Sequence, residues 1–461
     1  MRTGGLQTAA AGHLFFILLI SAATPVSLTA QGPQPEPAEI EGPLLTLQEA
    51  LSVALADNRL VKISTLETER SEERVKVAKS RRLPQFQVDV LAGSVLQPFD
   101  FTFPQGSFGT YPGIGEVPAT DSAITTEKQM TTFVTASFDQ PLLQLFRINY
   151  NVKANELGHA IAREDLRGER HKVAAGVRSA YFDLVATQSA LEAAREAVTT
   201  LREVQRVTAA HEAEQSVLRG DALEVDARLA KSEYDLEAAG NRLATQREIL
   251  NDLLGRDLAI RYRVEPIPEQ IAEGVTLETA RQRAAESRPE IRQARLKEQQ
   301  ADYERRIARA DYIPDLSLSV RYTGFHNYEV LPTDVTVAGI YFKWEPFDWR
   351  RRHHTVEEKS RAVEQARNGT QQVASQVAIE AGRAHRGWSE AALLVRASHV
   401  ARDAARERLR EITRRYEREA ALLKDLLEAQ SRSAGAEFEY QRTLSSYWSA
   451  AAEMRRAMGD E

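Results

Sequence analysis

The sequence predicts a mixed α and β membrane protein made of two copies of one unit: helix, strand, loop, strand and long helical hairpin. Three observations carry this. In "RLPQFQVDVLAG" (82–93) a charged helical stretch stops at Pro84, and Phe86, Val88 and Val90 then alternate with Gln85, Gln87 and Asp89, as on a strand with one apolar and one polar face. The event recurs in "YIPDLSLSVRYTG" (312–324), where Leu316, Leu318 and Val320 alternate with Asp315, Ser317 and Ser319, and Pro314 lies 230 residues after Pro84. Finally, proline is absent from 142 to 265 and again from 347 to 461, two stretches long enough to be almost wholly helical.

The address comes first along the chain. "HLFFILLISAA" (13–23) is too short for a confident spanning helix, and with Arg2 before it and small residues after it reads as a secretory signal occupying 1–30, cleaved near Ala30. The Pro/Gln/Glu-rich stretch 31–44 reads as a flexible N-terminal segment. There is no cysteine, so no disulfide and no lipid-modified N-terminal cysteine. After the signal no run of eighteen apolar residues occurs, so any bilayer crossing uses strands. The charge of −6, with 27% charged residues of both signs, argues against a nucleic-acid binder.

The first unit is assigned to 45–265 and the second to 275–461, with a linker at 266–274. "LTLQEALSVALADNRL" (45–60) and "VTLETARQRAAESRPE" (275–290) align at the offset of 230. The loops after the first strands differ: 97–130 is long and rich in Gly, Pro, Phe and Thr, whereas "FHNYEVLPTD" is short. Whether Phe99, Phe101 and Phe103 cap a barrel or pack on it is left open by the sequence. The second strands end at Pro141 and Pro346. Val134, Ala136 and Phe138 form one face of the former; Ile340, Phe342 and Trp344 fall in the other phase of the latter, so the register stays open. In the helical stretch Val177, Leu184, Leu191 and Val198 step by seven, a coiled-coil seam on a helix from about 147 to 214. The helices after breaks near Gly220 and Lys424 align at an offset of 204.

Four strands cannot stand alone in lipid, where every backbone group needs a partner and a sheet must close. Known membrane barrels begin at about eight strands, so two copies or three would serve. The bunched aromatics Tyr341, Phe342, Trp344, Phe347 and Trp349 fit an interfacial belt. The rival from another class is a non-conducting coiled-coil surface stalk.

The order "TLxxALxxAxxxN", Leu-Pro before an alternating strand, strands ending "DQPLL" and "WEPFDWRRR", and a hairpin closing on "LLG" resembles the TolC-type outer membrane efflux family, over nearly the whole chain from Leu45. The resemblance implies a homotrimer, with four strands per chain completing a twelve-stranded β-barrel and the helical hairpins forming an α-barrel tunnel. It implies an outer membrane exit duct with a periplasmic helical domain, passively conducting small molecules from an inner-membrane pump through a periplasmic adaptor. A protein-secretion duct of the type I kind is the alternative within this architecture. In the family each hairpin turns through Arg-Tyr-x-x-Gly and then Asp-Val-Leu. Here "RRYEREAALLKDLLEA" keeps Arg415, Tyr416 and Asp425 with Glu428, but has Glu419 in place of glycine; "AHEAEQSVLRGDALEV" keeps Asp221 and Glu224 without the tyrosine. The resemblance thus implies an entrance gate of Asp221, Glu224, Tyr416, Asp425 and Glu428, and adaptor contacts at Val217, Leu218, Leu422 and Leu423. Such acids could focus a negative potential, or be ordinary residues near a helix start, where acids are favoured anyway.

Other signals are not promoted. In "RRRHH" (350–354) the adjacent histidines point to different helix faces, and the arginines suit lipid phosphates. No metal-ligand spacing, phosphate loop, nucleophile elbow or dinucleotide fingerprint occurs, so neither a cofactor nor an enzyme is expected.

Overall fold

The computed structural model describes residues 42–460, apart from 95, 98–99, 126–129, 214–217, 272–273, 328–331, 417 and 419. The assigned signal, and with it Phe99, Val217 and Glu419, therefore lies outside the described residues. Strand β1 (Leu44–Leu45) leads into helices α1 (Leu47–Asp57) and α2 (Arg59–Ser80), then β2 (Gln85–Ser94). Four short strands follow, β3 (Asp100–Phe103), β4 (Thr110–Tyr111), β5 (Gly115–Glu116) and β6 (Ser122–Thr125). They lead to β7 (Met130–Pro141), α3 (Leu145–Ala213) and α4 (Arg219–Leu253). The second half runs β8 (Arg263–Val264), α5 (Leu277–Ser287), α6 (Pro289–Ala310), β9 (Asp315–His326), β10 (Asp334–Lys343), α7 (Arg351–Tyr416) and α8 (Leu423–Met458).

Local chemistry explains the boundaries. Thr46 opens α1 with a reciprocal capping box: Glu49 N donates to its hydroxyl at 3.2 Å and its own N–H donates to Glu49 Oε2 at 3.0 Å. Thr276 repeats the cap at α5, accepting from Thr279 N. Between α1 and α2, Asn58 caps the second helix through Leu60 N and Val61 N. Between α5 and α6, Pro289 sits at the first helical position, where its missing N–H costs nothing. The two longest helices are 69 and 66 residues, roughly 100 Å each at 1.5 Å per residue.

The elements form matching columns. One antiparallel sheet has the order β10–β9–β7–β2. Beside it the helices pack in the same order, α7–α6–α3–α2, and beyond the α1/α2 and α5/α6 breaks the sequence becomes α7–α8–α3–α4. Side-chain bonds mark each seam: Thr68 to Ala162 O between α2 and α3, Gln300 to Ala154 O between α6 and α3, and Ser398 with Thr443 between α7 and α8. The heptad residues Val177, Leu184, Leu191 and Val198 are all buried. Val177, Leu184 and Leu191 join Tyr181, Leu250, Tyr440, Leu444 and Tyr447 in the main core, where each such side chain contributes about 1.5–3 kcal/mol. Tyr181 pins both connections: its hydroxyl donates to Leu45 O at 2.9 Å and accepts from Glu265 N at 3.0 Å. Burial pushes that phenol above its ordinary pKa.

Candidate functional site: the sheet face and the hairpin tips

Strand pairing settles the register. Phe86, Val88 and Val90 lie opposite Phe138, Ala136 and Val134. Phe138 lies opposite Val320 on the other side, and Val320, Leu318 and Leu316 lie opposite Ala338, Ile340 and Phe342. Directly paired residues share a face, so one apolar face crosses all four strands, and Ile340 and Phe342 belong to it. The opposite face carries Gln87, Asp89, Ser137, Arg321, Ser317 and Ser319. All ten residues of β10 are exposed, as are Phe86 at 71% and Ile340 at 70%. A sheet face this apolar and this open calls for a non-aqueous neighbour. Of the expected aromatic belt, Phe342 is on the apolar face, whereas Tyr341 pairs with Ser317 on the polar one. Trp344, Phe347 and Trp349 follow β10 in the turn to α7, where Phe347 and Trp349 rings meet edge-on at 4.8 Å. In that turn Arg351 and Arg352 reach Glu345 at 2.7 and 3.0 Å, so two of the three arginines of the basic run are paired within the chain.

At the far end of the helices the two hairpins turn. Leu218 and Leu422 are the residues before α4 and α8, both with extended backbone and exposed at 75% and 71%. A leucine has no side-chain acceptor for a helix start, so capping does not explain either one. Leu423 is the first residue of α8, and its side chain, like Val217, is outside the described residues. Asp425 turns back to accept the Leu422 N–H at 3.2 Å. Glu428 is engaged by Arg432 and Glu224 by Arg228, each at 2.6 Å. Asp221 occupies the first turn of α4. Tyr416 ends α7, half-buried against a small separate core of Ile412, Leu426 and Ala429. Thus Tyr416, Asp425 and Glu428 share the second tip and Asp221 and Glu224 the first. The arginine partners of the two glutamates were not anticipated, although their i, i+4 spacing is visible in the sequence.

The sequence model for outer membrane efflux proteins matches residues 50–256 and 280–460. The chain belongs to the outer membrane efflux protein family. Solved structures agree on the fold. A membrane protein from Pseudomonas aeruginosa superposes with a TM-score of 0.72 at 17% identity, over 90% of each chain. The CmeC outer membrane channel of Campylobacter jejuni gives 0.71 at 16%, over 90% of this chain and 85% of that one. The MtrE outer membrane channel of Neisseria gonorrhoeae, described in its open state, gives 0.69 at 17%, over 90% and 89%. No curated protein matches by sequence. The two matched segments flank the 257–279 stretch, which holds β8 and the start of α5. Among the described residues no helix is long and apolar enough to cross a membrane.

Proposed function

We propose that three copies of this chain form an outer membrane exit duct, a twelve-stranded barrel continued by a helical tunnel in the periplasm. It conducts small molecules passively, and an inner-membrane pump delivers them through a periplasmic adaptor. The observation that carries the reading is the coincidence of edges. The sheet ends at β2 and β10, and the helical columns end on the same sides at α2/α4 and α7. Both helical edges bear exposed apolar side chains: Leu60, Ile63 and Leu66 on α2, and Ile379, Leu393 and Val400 on α7. Head-to-tail association of copies would cover both edges and pair the unpaired strands, and rotation that closes gives a ring. The duplicated element order in the two halves suits a ring of quasi-equivalent hairpins. A soluble stalk would leave the apolar sheet face in water.

The tips are proposed as the periplasmic entrance, with Tyr416, Asp425 and Glu428 from one hairpin and Asp221 and Glu224 from the other. Leu218 and Leu422 are proposed adaptor contacts. Because Glu224 and Glu428 carry arginine partners, the entrance field is weaker than the carboxylates alone would give. The test is fractionation followed by single-channel conductance in planar bilayers. Outer membrane association that needs detergent, with ion conductance from the purified oligomer, is the expected result. Recovery in the soluble fraction after signal removal would sink the duct.

A further inference from the structure

Along these helices arginines commonly sit one turn from an acid, as Arg228 does on Glu224, Arg306 on Asp302 and Arg432 on Glu428. One cleft breaks the pattern. It lies between α3 and α6, holds about 720 Å³, and is lined by Arg163, Arg167 and Arg170 on one helix and by Arg292 and Arg295 on the other. Its one acid is Glu164, and Leu166 and Leu296 supply apolar wall. Like charges three or four residues apart oppose helix formation. Three such pairs are set here: Arg163 with Arg167, Arg167 with Arg170, and Arg292 with Arg295.

Packing accounts for part of the cluster. Arg167 Nη2 donates to Ser287 O at 2.9 Å and Arg292 Nη2 to Glu286 O at 3.4 Å, so both tie down the last carbonyls of α5, where cations are favoured. Glu164 reaches Arg167 only at 3.5 Å, and its buried Oε2 has no hydrogen-bond donor. Nothing of this kind accounts for Arg163 and Arg295. Both are exposed, and among the described residues neither has an acidic partner. Other acids close by in sequence are turned elsewhere: Asp165 accepts from Gln293, Glu169 holds Lys172 at 3.2 Å, and Glu298 holds Arg367 at 3.2 Å.

Helix phase gives the side on which the cleft opens. Where α3 meets the sheet, a recess is lined by Gln85, Asp139 and Ser317 of the polar sheet face together with Asn151. Ala160 and Arg167 lie nine and sixteen residues beyond Asn151, about two and a half and four and a half turns. The arginine cleft therefore opens on the opposite side, that of the apolar sheet face, which in the duct is the outer wall. α3 and α6 are the inner columns of the order α7–α6–α3–α2, and Thr68 at the α2 border is bonded to Ala162 O. Association through the α2 and α7 edges leaves the cleft uncovered. Arg163 and Arg170 stand 18 and 25 residues into α3 from Leu145, roughly 27 and 38 Å from its start at 1.5 Å per residue. Lipid phosphates at the strand ends are thus about three Debye lengths away or more.

We propose that this cleft grips carboxylates on the peptide strands of the cell wall where the duct passes through it. This rests on the duct reading, which sets the helical domain in the periplasm, and adds a partner on its outer wall. The cell wall is the fixed polymer of that compartment, and its short peptides carry free carboxylates. Guanidinium forks hold carboxylates in two-pronged geometry. Arg163 and Arg170 are seven residues apart, about 10 Å along the helix, the span of about three residues of extended peptide. Leu166 and Leu296 offer contact to the alkyl parts of such a chain.

The probe is purified insoluble cell wall, either native or with its carboxylates converted to amides. The detergent-extracted full-length oligomer is sedimented with each, at low and high salt. Binding to the native wall is expected, with about tenfold or more lost on amidation and a smaller loss at high salt. Arg163→Gln with Arg295→Gln should lose about as much. Arg410→Gln with Arg442→Gln, the same change of charge on exposed arginines elsewhere, should bind as the unaltered protein does. No sedimentation with the native wall, binding that survives amidation, or equal loss in both double variants would each overturn the proposal. So would preferential capture by phosphatidylglycerol vesicles that the cleft variant loses, which would make the cleft a phosphate site. The substituted side chains are exposed, and circular dichroism verifies that the variants remain helical. Fractionation tests the duct separately: a soluble chain would end that reading whatever the cell wall binds.

Discussion

The α1/α2 and α5/α6 breaks occupy equivalent places and solve one problem with different chemistry. In the first half the break is held by Asn58, 4% exposed, whose Nδ2 donates to Leu253 O at 2.8 Å while its Oδ1 caps α2. In the second half Arg288, 3% exposed, donates to Arg456 O at 3.4 Å and binds Glu290 and Glu380 at 2.8 and 2.9 Å. Each break also rests on a glycine with left-handed backbone, Gly255 at φ +70 against Asp57 O and Gly459 at φ +86 against Ser287. The backbone solution is common, and the side-chain solution is a neutral amide in one half and an ion network in the other. Equivalent geometry therefore does not entail equivalent response to pH and salt.

Four measurements break or sharpen this comparison, each read as the melting behaviour of the detergent-extracted protein. The largest effect is expected at the shared feature. A Cβ at Gly255 would lie 2.3 Å from Asp57 O, so Gly255→Ala combines a left-handed non-glycine, about 1–3 kcal/mol, with displacement of packed backbone, about 1–3 kcal/mol more. A neutral result there would mean that the break is not closed by this contact. Next comes Arg288→Met, which leaves Glu290 and Glu380 with only the longer contact of Arg456, 3.9 Å from Glu380. The usual 3–5 kcal/mol for breaking a buried pair falls to about 2–3 here, because Glu290 and Glu380 are one-third exposed. Asn58→Ala should cost about 1–2 kcal/mol through the lost cap and an unsatisfied Leu253 carbonyl. If the amide change proved costlier than the arginine change, the ion network would be a surface ornament.

The smallest effect is the acid limb. Burial alone would raise the Glu290 carboxyl, but its own backbone N–H and Arg288 more than offset this and hold it below the ordinary carboxylate value. A depressed pKa in the folded state gives stability that is present above the unfolded value and lost as pH falls through the folded one. Melting temperature should therefore drop on acidification below the ordinary glutamate range, and Glu290→Gln should flatten that drop. An unchanged acid limb in the variant would assign acid sensitivity elsewhere.

Much of this could be read from residues alone. Pro84 and Pro314 place the strand starts, the proline-free stretches place the long helices, and Val177, Leu184, Leu191 and Val198 mark the buried seam, because each rests on spacing within one element. The candidate tip was legible less fully. The family resemblance brought Tyr416, Asp425 and Glu428 together, but not the cap that Asp425 makes on the Leu422 N–H, since that depends on how the turn folds back.

The sequence by itself determined the long helices, the strands that start after Pro84 and Pro314 and the alternation of those two strands, all properties of local period and of where a helix must break. Tertiary structure decided which phase of β10 joins the apolar face. A one-residue slip exchanges the two faces of a strand, and Leu318 opposite Ile340 is a long-range pairing that no local pattern contains. It decided as well that Arg288 does the work of Asn58, because both side chains are chosen by what the far end of another helix offers them: a lone carbonyl at Leu253, and a carbonyl with two carboxylates beside Arg456.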